Sequence, residues 1–460
     1  MGPKQIAALV LGLLVAGLVV RLDGLTDAPV QYDTNDEYAW TWAGMSLLAD
    51  GTPRSWSWHP AYEDGPMAPQ MIEVGGRSYR MVEPWVDHPP VYPLLVGTWL
   101  ALRGETDPLT VDFAAMRQFA VLVYAFGFLA FAAVLRRTVD DAVALPTLAA
   151  FALSAPVVLQ SRLVLSEGLL IVLLFLALLG VLRFEDSARK RELVLIGLAC
   201  ALLPLTKVAG LPLCAAILLF CAARPRRSWA ALATIVVGTV AGIALMVGAG
   251  WFFAGDLYFA LLTNHSGTHD GFAAALPLLF IPRVVDTQLY YGPFLMGAAL
   301  VLAQLRHLPT EAEEGRGAGA ARLALVALAY AGAMSFFAPQ VGPPGWYSAP
   351  LHPFFCLGIG LAIERMWRDE GPWALVLVLM LVLPLIFDPL LGRSRGSAFQ
   401  WIASATVWRF AYLAVLLGVP VLVLLLPARL RSVRRFIVAL LLVLWAIAEV
   451  NIVRTWVDAA

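Results

Sequence analysis

Charged side chains are scarce in this chain of 460 residues, and their scarcity excludes an ordinary soluble domain. Asp, Glu, Lys and Arg make up 14% of the sequence and apolar residues 60%, whereas a soluble domain carries about a quarter charged residues. Neither sign is in excess, because 32 basic residues balance 32 acidic ones. A chain with no net charge lacks the basic surface that nucleic-acid binding requires, and this composition predicts a membrane protein.

The chain also has few cysteines and no nucleotide-binding loop. The four cysteines, at positions 200, 214, 221 and 356, all lie in apolar segments without metal-ligand spacing, so we interpret them as free packing thiols. The long polar loop near the N-terminus contains none, which excludes a disulfide-stabilised loop. We find no glycine-rich loop in a strand–helix context and no internal repeat, and an ATP-driven pump is therefore not expected.

Apolar runs of about 20 residues recur along the chain, without the strict alternation of membrane β-strands. Because backbone in hydrocarbon must satisfy its own hydrogen bonds, these runs predict helices. We therefore predict an all-α polytopic membrane protein with about 13 transmembrane helices. They lie near residues 6–20, 115–135, 141–160, 165–183, 192–206, 209–222, 229–252, 284–305, 320–338, 350–366, 372–388, 405–427 and 433–451.

This pattern divides the chain into a first transmembrane helix (1–22), a long outer loop (23–114), a transmembrane core (115–370) and C-terminal transmembrane helices (371–460). No small-residue cleavage site follows the first apolar run, so an uncleaved helix is a better interpretation than a signal peptide. Two short amphipathic segments in the loop, Tyr38 to Leu48 and Val91 to Leu102, are expected to be interfacial helices on the membrane surface.

Basic residues in short loops predict the orientation of these helices. With the N-terminus inside, 18 of the 32 Lys and Arg residues fall in six short inner loops, and fewer are spread over the much longer outer segments. We therefore expect a multi-pass protein of the cytoplasmic (inner) membrane with its N-terminus inside. The long loop and the candidate site residues then lie on the outer face.

Asp36 and Glu37 begin the first amphipathic segment. Thr34 precedes Glu37 by three residues, which fits a capping box in which Glu37 accepts a hydrogen bond from the Thr34 amide. That interpretation explains Glu37 and leaves Asp36 only the general preference of acids for a helix start. The alternatives for the pair are capping alone, or a general base or metal-binding acid at the membrane surface.

Four further polar side chains stand beside apolar segments on the same predicted face, namely His88, Arg162, Glu167 and Lys207. Arg162 and Glu167 could neutralise each other, because a lone charge in hydrocarbon is costly. Lys207 could extend its amine to the interface or bind a phosphate. His88 precedes two prolines at a helix start and could simply be solvated.

Three other histidines complete the candidates. His352 lies just inside a predicted span, which is unusual, after a loop whose aromatic residues suit a membrane interface. His265 and His269 are spaced to share a metal on a helix, but Ser266 to Thr268 between them is poor helix sequence, so we predict no metal site there.

Taken in order, these motifs resemble the GT-C glycosyltransferases of the protein-mannosyltransferase and aminoarabinose-transferase type. The resemblance covers about residues 5–370. It departs from the common family pattern at His88, where Lys is usual, at Glu167, where Asp is usual, and at Trp346, where Arg is usual. The matching motifs are Asp36-Glu37-Tyr38, His88-Pro89-Pro90-Val91-Tyr92, Arg117 at the start of the second span, Arg162 and Glu167 between the third and fourth spans, Lys207 after the fifth, and Tyr347 with Pro350 and Pro353 at a late span.

This resemblance implies a GT-C fold that transfers a hexosyl or pentosyl unit from a polyprenyl-phosphate donor, with inversion at the anomeric carbon. The acceptor would be a glycolipid, a cell-wall glycan or a protein at the outer face. Asp36 would be the catalytic base, with His88, Arg162 and Lys207 around the phosphate, while Glu37 mainly holds the helix start. The implied substrate-binding residues are Glu37, His88, Tyr92, Arg117, Arg162, Glu167, Lys207, Tyr347 and His352.

Two alternatives remain open from the sequence. The sequence establishes no cofactor and leaves open a divalent cation near Asp36 and Glu167. A lipid or sugar transporter or flippase is the alternative function, and it would show inverted halves with charges at the middle of the bilayer. The ionisable residues of this chain lie mostly at span ends instead. Membrane lipid, the donor and the acceptor are the expected partners, without nucleic acid.

Overall fold

A computed structural model describes most of the chain and shows a multi-pass membrane protein. Among its described residues, five helices are long and apolar enough to cross a membrane, namely Pro3–Leu22, Phe113–Thr138, Glu167–Ser187, Trp229–Ala254 and Ala318–Ser335. The described residues are 2–29, 31, 35–64, 69–224, 228–267, 283–284, 287–288, 292–308, 316–337, 345–368 and 431–454.

Helices account for nearly all of the described core. In chain order they are α1 (Pro3–Leu22), α2 (Asp36–Asp50), α3 (Val91–Leu102), α4 (Phe113–Thr138), α5 (Asp141–Leu153), α6 (Ala155–Gln160), α7 (Glu167–Ser187), α8 (Lys190–Thr206), α9 (Gly210–Ala222), α10 (Trp229–Ala254), α11 (Asp256–Gly267), α12 (Gly292–Leu302), α13 (Arg316–Phe337), α14 (His352–Arg368) and α15 (Arg431–Arg454). Short 3-10 helices cover Pro60–Asp64, Ala303–His307 and Gly345–Leu351.

The predicted spans agree with these helices where their apolar runs are uninterrupted. The predicted span 141–160 is divided, because α5 ends at Leu153 and α6 begins at Ala155, with a proline in its first turn. The predicted start at 284 is wrong, since Arg283–Val284 pairs as a strand with Thr287–Gln288 and α12 begins later. The predicted spans 372–388 and 405–427 lie outside the described residues, and the total of about 13 stays a prediction.

The outer loop contains a small sheet that the all-α prediction missed. Strands β1 (Ser55–Trp56), β2 (Gln70–Val74) and β3 (Arg77–Val82) form an antiparallel sheet in the order β1-β3-β2. The last strands are joined by Gly75 and Gly76, both with positive φ, which suits a tight hairpin. The buried face of this sheet places Tyr79 against Tyr38 and Trp42 of α2, so the loop packs as a cap on the start of α2.

Helices α2 and α3 cross at two glycines with their backbones in contact. A Cβ added to Gly44 would lie 1.9 Å from the carbonyl oxygen of Pro93, and one added to Gly97 would lie 2.4 Å from the carbonyl carbon of Gly44. Only glycine permits this approach. The predicted range 91–102 for the second segment matches α3, and the crossing holds Tyr92 of α3 beside Trp40 of α2.

Helix α7 carries a buried ion pair near each of its ends. Glu167 begins the helix and pairs with Lys207, whereas Glu185 pairs with Arg322 of α13 near the other end. The two acids are 18 residues apart, which is about 27 Å at 1.5 Å per residue. That distance is close to the roughly 30 Å of a bilayer's hydrocarbon core. Helix α7 therefore spans the apolar layer with one charged cluster near each boundary.

Candidate active site

Asp36 and Glu37 begin α2 but face different surroundings. Glu37 is fully buried, while Asp36, one residue earlier on the helix, is half-buried. Neighbouring helical residues point about 100° apart, so one of them turns inward and the other lies toward the loop side. Asp36 precedes Trp40 by one helical turn, and the Trp40 ring lies 6.0 Å from Nζ of Lys207, so Asp36 begins the helical turn that reaches Lys207.

The predicted capping role of Glu37 is wrong. Asn35 occupies the N-cap position of α2 without a side-chain capping hydrogen bond, which puts Glu37 at the second helical position, where it cannot complete a capping box. Thr34 lies outside the described residues. The Glu37 carboxylate instead accepts two hydrogen bonds from Arg117, from Nε at 3.1 Å and from Nη2 at 2.9 Å, and a third from the amide of Val164 at 3.1 Å.

Arg117 completes a saturated buried pair with Glu37. Its Nη1 donates to the carbonyl oxygens of Leu25 at 2.9 Å and Pro29 at 2.5 Å, and its guanidinium lies 4.2 Å from the centroid of the Phe113 ring. Neither Glu37 nor Arg117 is exposed. The predicted substrate-binding roles of these two residues therefore do not fit the structure, and the pair instead anchors the start of α2 to α4.

Arg162 is likewise turned away from the candidate site. Its Nη1 donates to the carbonyl oxygens of Gly24 and Ala28, and its Nη2 donates to those of Val20 and Asp23. These carbonyls belong to the C-terminal end of α1 and the turn after it, where unpaired acceptors need donors. Arg162 therefore caps α1. It neither neutralises Glu167 nor joins Lys207, so its predicted phosphate role is not supported.

Glu167 and Lys207 form a buried ion pair between α7 and the junction of α8 with α9. Nζ of Lys207 lies 2.6 Å from Oε1 of Glu167, and the two side chains are 6% and 3% exposed. Lys207 ends α8 after Thr206, because its extended backbone breaks the helix there. The break places a long basic side chain inside the protein, next to the first turn of α7.

Aromatic rings surround the Lys207 ammonium. Nζ lies 4.6 Å from the centroid of the Tyr347 ring and 6.0 Å from that of Trp40, distances at which a cation is attracted to the ring face. His88 stacks on the same Trp40, with ring centroids 4.5 Å apart and planes 16° apart. Trp40 therefore brings His88 and Lys207 to one cluster, which the first turn of α2 joins through Asp36.

Electrostatics keep the Lys207 amine charged. Burial disfavours the ammonium, but Glu167, Tyr347 and Asp36 together outweigh burial and raise the pKa of Lys207 above 10.5. Burial also raises the pKa of Tyr347, so that phenol stays neutral near neutral pH. The cluster consequently contains the positively charged ammonium of Lys207, which the Glu167 carboxylate holds in position. The carboxylate of Asp36 belongs to the same cluster.

Tyr92, which packs edge-on against Trp40, borders a cavity next to Glu167 together with His352. Tyr92 is fully buried on α3, and its hydroxyl has no hydrogen-bond partner among the described residues. His352 begins α14, with Nε2 3.2 Å from the Ser348 hydroxyl and its ring 4.9 Å from that of Phe294. Both residues line the cavity together with Glu167.

The residues near Asp36 do not fit a divalent cation. Oxygen ligands with unbalanced negative charge are what such ions require, yet Glu167 is already matched by Lys207 and Glu37 by Arg117. Among the described residues, no group of three or more His, Cys, Asp or Glu side chains is placed to hold a metal. His269 of the other metal candidate lies outside the described residues. We therefore derive no step through a metal.

Trp40 is the residue of this cluster that sequence reasoning missed. It follows Asp36 by four residues, and such pairs share one face of a helix. That spacing alone could have placed a buried aromatic beside the catalytic candidate. Trp85 packs edge-on against the rings of both Trp40 and His88, but no sequence pattern connects it to them.

A protein-family model matches part of the chain. The family model described as "Dolichyl-phosphate-mannose-protein mannosyltransferase" matches residues 87–252, a stretch that contains His88, Glu167 and Lys207. No curated protein sequence matches the chain.

Solved structures with a similar fold include ArnT from Cupriavidus metallidurans bound to undecaprenyl phosphate. It has a TM-score of 0.59 at 16% sequence identity, covering 98% of this chain and 78% of that chain. The protein O-mannosyltransferase Pmt1–Pmt2 complex of S. cerevisiae bound to the sugar donor has a TM-score of 0.37 at 21% identity, covering 61% and 36%. An oligosaccharyltransferase of Archaeoglobus fulgidus has a TM-score of 0.48 at 12% identity, covering 94% and 56%.

The likeness to ArnT shows that this chain has the GT-C fold, and it covers nearly the whole chain. Together with the family match, it confirms the resemblance to GT-C glycosyltransferases of the mannosyltransferase and aminoarabinose-transferase type. At 16% identity the likeness concerns fold alone, so donor, acceptor and residue roles need their own argument.

Proposed function

We propose that this protein transfers a sugar from a polyprenyl-phosphate-linked donor to an acceptor hydroxyl at the outer face of the cytoplasmic membrane, with inversion. The observation that carries the proposal is the buried Glu167–Lys207 pair at one end of α7, whose ammonium lies 6.0 Å from the Trp40 ring, one helical turn after Asp36 on α2. The family match and the GT-C fold support the reaction class. The ArnT structure contains undecaprenyl phosphate, which supports a lipid-phosphate donor.

Asp36 is the general base in this reaction. It takes the proton of the acceptor hydroxyl as that oxygen attacks the anomeric carbon. The new bond joins the acceptor oxygen to the anomeric carbon, while the bond from that carbon to the phosphate oxygen breaks with its electron pair. A single direct displacement inverts the anomeric carbon and requires one base with no covalent carboxylate intermediate.

Lys207 stabilises the departing lipid phosphate. Its ammonium is buried, charged and fixed by Glu167, so it can meet the growing negative charge without rearranging water. His88 reaches the same cluster through its stacking on Trp40 and adds a polar donor where Lys is usual in the family. Glu167 keeps the Lys207 amine in position, and Glu37 with Arg117 holds the helix start that carries Asp36.

Three kinds of acceptor fit this mechanism. A glycolipid, a cell-wall glycan and a protein hydroxyl all supply the nucleophile that the mechanism needs. The described outer loop is a small three-stranded sheet packed on α2, which offers little surface for recognising a folded protein. We therefore favour a small glycolipid or a polymer.

Substituting Asp36→Asn tests the mechanism. The amide cannot accept the proton, so transfer should fall by about 10²–10⁴-fold. Purified protein is incubated with a radiolabelled polyprenyl-phosphate sugar and candidate acceptors, and released polyprenyl phosphate is measured. Asp50→Asn is the matched control, because Asp50 ends the same helix in an exposed pair with Arg54 and should be close to neutral.

The two failures of this experiment are distinct. Equal release by wild type and Asp36→Asn would remove Asp36 from the role of base and leave the reaction class intact. No release by wild type with mannosyl, aminoarabinosyl or other lipid-phosphate donors would count against the reaction class itself.

A further inference from the structure

A cavity beside Glu167 has no assigned role in the mechanism above. Its empty space, including the solvent at its opening, is about 590 Å³. Helices α3 to α7 and the start of α14 line it, and most of its wall is aliphatic or aromatic. Six polar side chains border it, namely Tyr92, Tyr124, Gln160, Ser161, Glu167 and His352.

Two of these side chains have hydroxyls that the protein leaves unused. Tyr92 is 0% and Tyr124 is 4% exposed, and neither hydroxyl has a hydrogen-bond partner among the described residues. Buried polar atoms in native proteins are nearly always hydrogen-bonded, and leaving one unpaired is costly. Two such hydroxyls on one cavity point to a bound group that supplies hydrogen-bonding oxygens.

The only acid on the described cavity wall is already paired, since Glu167 binds Lys207 at 2.6 Å. Arg21, which reaches the wall through Ser161, donates to Ser161 Oγ at 2.6 Å and to the carbonyl oxygens of Gly17 and Ala152, so its positive charge meets only neutral acceptors there. An ammonium placed in the cavity would therefore find no unpaired carboxylate on the described wall and would lie near the Arg21 guanidinium, so burying it there would be costly. The bound group is consequently not a cation.

We propose that this cavity holds a non-cationic monosaccharide unit of the donor, an inference that rests on the proposed function. Sugar hydroxyls would pair with Tyr92, Tyr124 and Gln160, and the apolar walls would pack on the C–H faces of the ring. The cavity borders the Glu167–Lys207 pair, so a sugar inside it remains attached to a phosphate held at Lys207. A purely hydrocarbon isoprenoid chain would leave both phenols unpaired.

The substitution Tyr92→Phe tests this assignment with little risk to folding. Since its hydroxyl has no described protein partner, removing it should leave thermal stability in detergent unchanged. Binding of undecaprenyl phosphate and of mannosyl-phosphoundecaprenol is measured by titration of the purified protein. The preference for the mannosylated lipid over the bare lipid should fall by about three- to ten-fold, the worth of one neutral hydrogen bond.

Tyr330→Phe is the matched control. It also removes one hydroxyl from a buried tyrosine, but that hydroxyl donates to the Tyr347 carbonyl and Tyr330 is not part of the cavity wall. This variant should lose stability and keep the wild-type preference between the two lipids. A third probe, phosphoundecaprenol carrying the cationic aminoarabinose, should bind wild type more weakly than the mannosylated lipid.

Three results would overturn the assignment. One is a Tyr92→Phe variant that keeps the wild-type preference for the mannosylated lipid over the bare lipid, which would indicate that water and not a sugar binds the Tyr92 hydroxyl. Another is an equal loss for bare and mannosylated lipid, which would assign it to the isoprenoid chain. The third is tighter binding of the aminoarabinose lipid than of the mannosylated lipid. If wild type binds none of these lipids, the proposed function is wrong, and the inference about the cavity, which rests on it, is wrong as well.

Discussion

The two ends of α7 carry buried ion pairs that look alike in sequence and differ in geometry. At one end, Glu185 accepts two hydrogen bonds from Arg322, at 3.1 and 2.7 Å, and Arg224 approaches it at 3.4 Å. Nε of Arg322 is also used, donating to the carbonyl oxygen of Phe220. At the other end, Glu167 meets Lys207 through one contact of 2.6 Å.

The difference separates a structural pair from a reactive one. A guanidinium with its donors used on protein acceptors has nothing left for a substrate, and Arg117 follows the same pattern. Arg162 likewise commits both terminal nitrogens to backbone carbonyls at the end of α1, and its buried Nε has no described hydrogen-bond partner. The ammonium of Lys207 has three donors, and among the described residues one is committed to Glu167. Rings of Tyr347 and Trp40 cover it without consuming its donors. Available donors, rather than burial or charge, mark the functional end of α7.

Among substitutions at the two ends of α7, the largest effect should come from Lys207→Met. Transfer should fall by about 10²–10³-fold, because the departing phosphate loses its preorganised cation. Stability should fall by about 3–5 kcal/mol, since Glu167 is left buried without a partner. Activity and detergent melting temperature are measured on the same preparations.

The double variant Lys207→Met with Glu167→Gln separates these two effects. It removes the unpaired charge, so it should recover most of the stability and none of the activity. Recovery of transfer in the double variant would show that Lys207 acts only as a structural partner of Glu167.

The opposite end of α7 should respond in stability alone. Arg322→Met leaves Glu185 with the more distant Arg224 and should destabilise the protein by about 2–4 kcal/mol, because the buried acid loses a bidentate partner. Transfer per folded molecule and the KM for donor should stay near wild-type values. A KM change of ten-fold or more in folded Arg322→Met would contradict the division of α7 into a structural and a functional end.

The smallest effect concerns pH. Glu167, Tyr347 and Asp36 raise the pKa of Lys207 above 10.5 despite its burial. A basic group with a raised folded-state pKa contributes stability that is complete below 10.5 and is lost as the pH rises through the folded-state value. The melting-temperature difference between wild type and the double variant Lys207→Met with Glu167→Gln, which leaves no unpaired buried acid to take up a proton, should therefore stay constant between about pH 7 and pH 9. A difference that shrinks within that window would show that Lys207 loses its proton there.

Much of the architecture could be predicted because membrane helices are encoded locally. The span predicted at 229–252 agrees with α10, and the segment predicted at 91–102 agrees with α3, since hydropathy and flanking prolines or charges act within one stretch of chain. The sheet at 55–82 was missed because its strands are short and half-exposed, with no clean alternation of polar and apolar residues.

The candidate site could be predicted only as a set of polar residues near the ends of spans. Asp36, His88, Glu167 and Lys207 do share one region, whereas Arg117 and Arg162 do not contribute to it. The local capping rule assigned Glu37 to Thr34, three residues away, but its partner Arg117 lies 80 residues along the chain. A sequence rule that uses only the residues of one helix cannot predict that the Glu37 carboxylate binds a buried guanidinium from another helix and not a nearby backbone amide.

The sequence by itself therefore determined that this chain is a multi-pass membrane protein, where most described helices lie, and which polar residues are available for chemistry. The physical reason is that transfer of a segment into hydrocarbon depends on the composition of that segment alone. Only the tertiary structure decided which charges neutralise each other and which keep donors for a substrate. Ion pairing depends on distances and desolvation among helices that are far apart in the chain. For this reason only the structure shows that Lys207 lies at the candidate active site, whereas Arg117 and Arg162 are bound to other parts of the protein.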